Sequence, residues 1–200
     1  MNESEWEEIK FDSSAYHKIK VNRTLFLDKY PDPQYKYKEK IDFPDAGEDK
    51  TYAICIGFNP AKAEKDLDDT NKRLIDALKD RYRGYYLFNL HPKIESDQAD
   101  IKTIDVQFVK YVCRKINCED LKKLDIVLFF GRLAIIPDVF VKYLKKAASK
   151  RRRKVYLTAH GDEFTHPSSN SSIELQKFKK EYLRKETVIR IKRRERTWQK

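Results

Sequence analysis

Four short apolar segments recur along the chain, and a polar loop follows each of them. They occupy residues 53–57, 85–90, 125–131 and 155–157. Amphipathic patterns with apolar residues three or four apart lie between these segments. Strands that alternate with helices of about 10 to 15 residues form βαβ units, in which the strands are parallel. We therefore predict a single α/β domain, a three-layer sandwich with a central parallel sheet of about four strands.

The same patterns predict where the remaining elements begin and end. Residues 1–22 are expected to be an N-terminal extension and residues 192–200 a basic tail. Residues 35–49 are expected to be a polar connection, with a turn at Asp45-Ala-Gly47. Helices are predicted from an N-cap at Asp69 or Thr70 to about Arg83, around 109–116, from Pro137 to Ser149, and from Ser171 or Ser172 to about Arg184. Short strands are predicted at 23–27 and, as an alternative to a packed tail, at 187–191.

Polar residues follow three of the apolar segments. The first segment ends at Gly57-Phe-Asn-Pro60, the second carries Asn89 at its end, and His166-Pro-Ser-Ser169 follows the fourth. Each motif alone is as well explained by an Asx turn, a buried amide that satisfies loop backbone, or a turn with a helix cap. Because ligands of open α/β sheets bind beyond the carboxyl ends of the strands, their joint placement predicts one pocket.

Composition limits the class of protein. The chain has 200 residues, 40% of them hydrophobic, which is enough for one domain with its own core. No apolar run approaches the roughly 18 residues of a membrane span, and the acidic start is unlike a signal peptide. Three cysteines without C-x-x-C spacing argue against a zinc site or a disulfide framework. We expect a cytoplasmic monomer without metal or cofactor.

The charge is distributed unevenly between the two halves of the chain. Residues 1–100 carry 17 Lys and Arg against 21 Asp and Glu, whereas residues 101–200 carry 26 against 11. A basic half of this kind favours a polyanionic partner, and DNA before a membrane. A solvated basic surface that aids solubility is the alternative. The candidate phosphate contacts are Arg151, Arg152, Arg153, Lys192, Arg193 and Arg194.

At these motifs the chain resembles two families. Over roughly residues 23–170 it resembles the bacterial family called domain of unknown function 1643. That resemblance is carried by Asn59-Pro-Ala-Lys-Ala-Glu64, Asp68-Asp-Thr70, Tyr86-Leu-Phe-Asn-Leu90, Phe130-Gly131 and His166-Pro167. The same order of motifs is similar to the uracil-DNA glycosylase superfamily, in which a G-x-[ND]-P loop, a strand-end Asn and an H-P-S loop occur in turn. Gly57-Phe-Asn-Pro60, Asn89 and His166-Pro-Ser168 match those positions.

The second resemblance implies a uracil-DNA glycosylase-like fold and hydrolysis of an N-glycosidic bond in DNA. Asn59 would hold the attacking water, and His166 would donate a hydrogen bond to the departing base. Asn89 would read the base edge, since a carboxamide both donates and accepts. Phe58 would stack on a flipped base.

The resemblance also implies a phosphate contact and a choice of base. Ser168 and Ser169, before the predicted helix, would hold a backbone phosphate. In the resembling uracil enzymes of the Asp type, the residue after the loop proline is a tyrosine that blocks the pyrimidine 5-position. Here that residue is Ala61. The pocket is therefore expected to accept a 5-substituted or bulky base, in DNA repair or in antiviral defence.

The acidic residues after the first strand allow more than one role. Asp66, Asp68 and Asp69 are interpreted first as the start of a helix, where a carboxylate caps the backbone. A general base or a Mg²⁺ ligand is the alternative. Two further functions stay open beside the glycosylase: a hydrolase of free modified nucleotides or nucleosides, and a non-catalytic nucleic-acid-binding protein.

Overall fold

The computed structural model describes residues 7–9, 20–24, 38–58, 68–91, 105–118, 120–129, 136–149, 153–160, 163–164 and 173–178. The strands are β1 (Glu7–Ile9), β2 (Lys20–Thr24), β3 (Lys38–Asp42), β4 (Tyr52–Gly57), β5 (Gly84–Asn89), β6 (Asp125–Leu128), β7 (Val155–His160), β8 (Glu163–Phe164) and β9 (Glu174–Lys177). The helices are α1 (Asp69–Leu78), α2 (Val106–Ile116) and α3 (Asp138–Ala148). None of these three helices has the length and apolar content of a membrane-spanning segment.

All nine described strands belong to one mixed sheet. Its order is β1-β2-β3-β5-β4-β6-β7-β8, and β9 also pairs with β7. The four central strands β5, β4, β6 and β7 run parallel to one another, as predicted. The flanking strands β1, β2, β3, β8 and β9 pair antiparallel, so the prediction of a purely parallel sheet is wrong. The protein is an α/β protein with a parallel centre and antiparallel edges.

Side chains on alternate positions of the central strands enter two separate hydrophobic clusters. Ile54 and Ile56 of β4 pack with the apolar residues of α2 and α3. Ala53 and Cys55 of the same strand pack with those of α1. Because successive strand residues point to opposite faces, helices cover both faces of the sheet. This is why the central strands are apolar without alternation.

The helices begin within a few residues of their predicted starts: the N-cap of α1 is Asp68, where Asp69 or Thr70 was predicted, and α2 begins at Val106, before the predicted 109–116. The side chain of Asp68 accepts a hydrogen bond from the amide of Asn71 and caps α1, and Asp105 caps α2 in the same way. Pro137 precedes α3. The predicted end of α1 is wrong, because the helix stops at Leu78 and the chain turns there, although Tyr82 is buried as expected.

β1 lies in the predicted N-terminal extension, β2 overlaps the predicted strand 23–27 only at its end, and β8 lies in a predicted loop. Two further elements were assigned to another kind of structure. Residues 38–42, assigned to a polar connection, form β3, whose register places Ile41 opposite Tyr85 of β5. Residues 174–177, assigned to a helix, form β9, which pairs antiparallel with β7. In both cases pairing with a strand that would otherwise be an edge outweighs the local pattern. The predicted turn at 45–47 is present.

Candidate functional site

The helices that follow β4 and β6 in the chain pack on opposite faces of the sheet. α1, which follows β4, packs in the cluster that contains Cys55 and Val127. α3, which follows β6, packs in the cluster that contains Ile54 and Ile126. Since β4 and β6 are paired neighbours, the chain diverges at their carboxyl ends. Open α/β sheets form their ligand crevices at such a point. The carboxyl ends of β4, β5 and β6 are therefore the candidate site.

Backbone hydrogen bonds hold the ends of β4 and β5 together beyond the strands. The amide of Leu90 donates to the carbonyl of Gly57 at 3.1 Å, and the amide of His91 donates to the carbonyl of Phe58 at 2.7 Å. Phe58, the residue before Asn59, is therefore fixed beside His91. The ladder gives this edge of the sheet a defined geometry.

Gly57 lets two side chains approach the end of β4. A Cβ atom at this position would lie 2.5 Å from Cζ of Phe129 and 2.9 Å from Oδ1 of Asn89. Both distances are shorter than carbon contacts in real structures, so any side chain here would displace the ring or the carboxamide. A glycine inside a strand commonly marks such a close approach. Phe129 follows β6, so residues from three strands meet at Gly57.

Asn89 is the buried polar residue of this site. It is the register partner of Gly57, and 2% of its surface is exposed. Among the described residues, its Nδ2 has no hydrogen-bond partner. Buried polar groups are nearly always paired, and leaving one unpaired costs about 1–3 kcal/mol. Asn89 therefore presents an unused N–H donor pair at the point where a ligand crevice is expected.

A second buried asparagine, Asn71, has its polar atoms engaged. Its Oδ1 accepts a hydrogen bond from the hydroxyl of Tyr85 at 2.7 Å, and its backbone N–H donates to the Asp68 carboxylate at 2.7 Å. Its Nδ2 donates to the same carboxylate at 3.4 Å. Burial raises the pKa of Tyr85 well above its usual range, so the phenol stays protonated and remains a donor. This network holds the start of α1 to β5.

Comparison with protein-family models identifies the family of this chain. The family model described as protein of unknown function (DUF1643) matches residues 44–168, which is more than half of the chain. The chain belongs to this family. The matched region contains β4 to β8 and the three helices, whereas β1 to β3 and β9 lie outside it. No curated protein and no solved structure matches the chain.

In this DUF1643 protein the acidic residues take the role of a helix start. Asp68 is the N-cap of α1. Asp69 is exposed in the first turn, 3.8 Å from the ammonium group of Lys72. Within the described residues no group of three or more His, Cys, Asp or Glu side chains could hold a metal ion. The cap interpretation is confirmed for Asp68, and Asp66 lies outside the described residues.

Phe58 lies in the core. Its ring belongs to the hydrophobic cluster that contains the buried residues of α2 and α3, and 5% of its surface is exposed. A phenylalanine in this position stabilises the end of β4 through burial. To stack on a base, the ring would have to leave the core, so its observed position does not support the predicted stacking role.

Arg153 also differs from its predicted place. Only 4% of its surface is exposed, and Nε donates to the carbonyl of Leu124 at 2.8 Å. Nη1 donates to the hydroxyl of Tyr143 at 2.9 Å, and Nη2 lies 3.5 Å from the carbonyl of Ile116 and 3.4 Å from that of Leu121. A guanidinium held in this way is not a surface contact for a DNA strand. The assignment of Arg153 to the DNA-contacting run is corrected.

The other predicted site residues lie outside the described residues. They are Asn59, Ala61, Asp66, Arg151, Arg152, His166, Ser168, Ser169, Lys192, Arg193 and Arg194. The structure thus places Asn89 and Gly57 at one strand end, beside a residue that sequence reasoning left out. That residue is His91, which is half-buried two positions after Asn89. Its signal was available, because His91-Pro92 repeats the His-Pro pair of His166-Pro167.

Proposed function

We propose that the protein is a DNA glycosylase-like hydrolase that cleaves the N-glycosidic bond of a modified or damaged base. The observation that carries the proposal is the carboxamide of Asn89, buried at the end of β5 with no partner for Nδ2 among the residues that the structure describes. An amide in this state suits recognition of a base edge, since it offers donors and an acceptor that a hydroxyl cannot offer together. The cost of leaving it unpaired is removed when a ligand carbonyl accepts from it.

The proposed fold is the three-layer sandwich of the uracil-DNA glycosylases. The parallel centre β5-β4-β6-β7, with α1 on one face and α2 and α3 on the other, supports it. The helices after β4 and β6 lie on opposite faces of the sheet, which supports a crevice at the carboxyl ends of these two strands. Asn59 comes two residues after the end of β4. Antiparallel strands at both edges would then be additions to that centre.

In the proposed reaction, the bond between the sugar carbon and the base nitrogen breaks, and its electron pair stays with the base. Water held by Asn59 supplies the oxygen that bonds to the sugar carbon. The proton that this water loses passes to solvent, and the departing base anion takes up a proton from solvent, so the products are the sugar hydroxyl and the neutral base. A carboxamide has no titratable proton, so Asn59 orients the water and does not act as a general base. His166 donates a hydrogen bond to the base oxygen on which negative charge develops, a contact that is strongest in the transition state.

The proposed substrate carries a substituent at the 5-position or another bulky group. A pocket that excludes such bases needs a large side chain, and Ala61 has only a methyl group. Plain uracil is therefore not the preferred base. Modified bases of this kind occur in viral DNA, which makes defence a candidate role beside repair.

The test is release of a base from a panel of oligonucleotides. Single- and double-stranded DNA would carry uracil, mismatched thymine, 5-hydroxymethylcytosine or its glucosylated form, and abasic sites would be detected by strand cleavage in alkali. We expect abasic sites with the enlarged bases. His166→Ala should lower their formation about 10²- to 10³-fold with little change in DNA affinity.

Two matched controls make the test decisive. Ala61→Tyr should abolish release of enlarged bases and retain release of small ones. Free modified nucleosides and nucleotides, incubated in parallel, separate the glycosylase from a hydrolase of small substrates. Abasic sites with uracil alone would overturn the assignment of substrate. DNA binding without abasic sites on any substrate would favour the non-catalytic protein.

A further inference from the structure

A buried carboxylate lies on the same face of the sheet as Asn89. It belongs to Glu39 of β3, which is 1% exposed. Alternate residues of a strand share a face, so Glu39 lies on the same face as Ile41. By the same rule, Asn89 shares its face with Tyr85 and Leu87. These three apolar or aromatic neighbours all belong to the hydrophobic cluster that contains the buried residues of α1. Glu39 and Asn89 therefore both lie on the α1 face.

The sheet register makes the two polar residues diagonal neighbours. Glu39 stands opposite Leu87 in the antiparallel pair of β3 and β5, and Asn89 is two positions beyond Leu87. Residues in this relation have Cβ atoms about 7 Å apart, which is within reach of long side chains. A carboxylate and a carboxamide thus lie next to each other at the carboxyl end of β5, where the ligand crevice is expected.

Buried polar groups are concentrated at this corner of the domain. Glu39, Asn71 and Asn89 are three of the five buried polar or charged residues in the part of the chain that the structure describes. Burial raises the pKa of Tyr85 well above its usual range, and nearby acidic groups that include Glu39 and Asp68 raise it further. The two carboxylates therefore act on the same phenol. Glu39 belongs to the polar cluster that borders the strand-end crevice.

The pair of Asn89 and Glu39 offers one donor group and one acceptor group. Nδ2 of Asn89 can donate, because it has no hydrogen-bond partner within the described residues. An ionised carboxylate only accepts, so it attracts N–H groups and repels phosphates and carbonyl oxygens. A planar ring with an N–H beside an acceptor complements both side chains. Cytosine has such an edge in its amino group and N3, and uracil and thymine have one in N3–H and O4.

We infer that Glu39 reads the base in the strand-end crevice by accepting a hydrogen bond from one of its N–H groups, while Asn89 donates to the neighbouring acceptor. This inference rests on the proposed function, because it assigns a second contact to the base in the same crevice. Glu39 lies outside residues 44–168, which match the family model. β3 thus supplies a ligand contact in addition to pairing with β5.

The test compares bases that differ in this N–H. Cytosine would be compared with N4,N4-dimethylcytosine, and uracil with 3-methyluracil, and their binding to the whole protein would be measured by ligand-observed NMR. The native protein should bind at least one base about 10- to 100-fold more tightly than its methylated form, as for loss of a hydrogen bond to a charged group. A preference within the cytosine pair assigns the amino edge, and one within the uracil pair assigns the N3–H edge.

Variants of Glu39 show whether this preference depends on its carboxylate. Glu39→Gln keeps the shape and a weaker acceptor, so it should reduce the preference about tenfold, and Glu39→Met, which has no acceptor, should reduce it further. Asp42→Asn is the matched control, because it removes one negative charge from the opposite face of the same strand, where Asp42 accepts from Tyr52. It should retain the native preference. A purely structural Glu39 would alter Tm without altering the ratio of the two affinities.

This inference and the glycosylase proposal can fail separately. A native preference in Glu39→Gln, or no binding of any of these bases by the native protein, would overturn the role of Glu39. A preference that depends on Glu39, without abasic sites on any oligonucleotide, would retain the base site and overturn the glycosylase. Abasic sites together with a preference that does not depend on Glu39 would retain the glycosylase and overturn this inference.

Discussion

At the scale of single residues, two buried asparagines differ in how their side chains are satisfied. Asn71 is hydrogen-bonded to Tyr85 and Asp68, whereas Nδ2 of Asn89 has no partner within the described part of the chain. Both are nearly inaccessible to solvent, at 4% and 2% exposure. An asparagine that is kept for folding should have partners, and one that is kept for a ligand need not. This contrast can be measured.

Replacing each asparagine with leucine should have opposite effects on stability. Asn89→Leu removes an unpaired buried amide, so the free energy of unfolding should stay constant or rise, by up to about 1–3 kcal/mol. Asn71→Leu leaves the Tyr85 hydroxyl without its acceptor and removes the Nδ2 hydrogen bond to Asp68, so it should lower the free energy of unfolding by a similar amount. Urea unfolding measures both. Asn89→Leu should also abolish base release. Equal destabilisation by the two variants would show that Asn89 is structural.

The thiol of Cys113 in α2 should make stability depend on pH in the alkaline range. Burial raises its pKa to about 12, above the ordinary thiol value of about 8.5. The unfolded chain therefore loses this proton first, and stability present below about pH 9 is lost as the pH rises towards 12. The loss is at most about 1.4 kcal/mol for each pH unit, and smaller because the thiol is partly exposed.

Cys113→Ala isolates this effect from the tyrosines that titrate in the same range. Unfolding in urea at pH 8 and at pH 10.5, under a reducing agent, should show a larger loss of stability for the native protein than for the variant. The variant loses packing at both pH values, so only the difference between them is informative. An identical pH dependence in the two proteins would place the thiol in solvent.

At the scale of elements, α1 lies between β4 and β5 in the chain, after the loop that contains Asn59. Its N-cap is Asp68, whose carboxylate accepts from the Asn71 amide at 2.7 Å. The same carboxylate was a candidate general base because it follows the Asn59 loop. A carboxylate can perform either role, but only one of them survives replacement with a neutral amide.

Asp68→Asn should separate the two roles. Asparagine caps a helix about as well as aspartate, so stability should change by less than about 0.5 kcal/mol, whereas Asp68→Ala should cost about 1 kcal/mol. If Asp68 only caps α1, Asp68→Asn retains base release. Asp69→Asn, at the exposed neighbour, is the control for loss of charge. Loss of base release in Asp68→Asn alone would make Asp68 the general base.

The elements differ in how far they could be predicted from sequence. β4 to β7 were predictable because buried parallel strands are apolar at every position, as Ile54, Cys55 and Ile56 illustrate. β3 was not, since Lys38–Asp42 contains one apolar residue, and its strand character comes from pairing with β5. For β9, the spacing of Leu175 and Phe178 fits a helix equally well, and contact with β7 decides it.

The candidate site was predictable in part for a related reason. Strand ends can be recognised locally, so Asn89 could be named from its position in the sequence. By contrast, which residue of a basic run is buried depends on tertiary contacts. For Arg153, the run Arg151-Arg-Arg-Lys154 gives no indication that this guanidinium turns inward to the carbonyls of Leu124, Ile116 and Leu121. The contact of Phe129 with Gly57 likewise depends on the pairing of β4 with β6.

At the scale of the whole molecule, the uneven charge predicts strong dependence of DNA affinity on salt. If basic residues of the second half neutralise phosphates, log affinity should fall against log salt by about 0.9 for each contact. Arg151→Gln/Arg152→Gln should reduce this slope by about 1.8 if both residues contact phosphates. Lys79→Gln/Arg81→Gln, at exposed positions in the acidic half, should leave it unchanged. A flat dependence in the native protein would favour small nucleotide substrates.

The position of β3 has a consequence for the association of the protein with itself. β3 pairs with β5 over five residues, from Lys38 opposite Phe88 to Asp42 opposite Gly84, and the region shared with the family begins after it. Without β3, β5 would present a row of open backbone groups on a strand as apolar as Tyr85, Leu87 and Phe88. Such an edge templates pairing with another chain and leads to aggregation. The N-terminal strands therefore protect β5 from pairing with another chain. A relative that lacks these strands must protect this edge by other means.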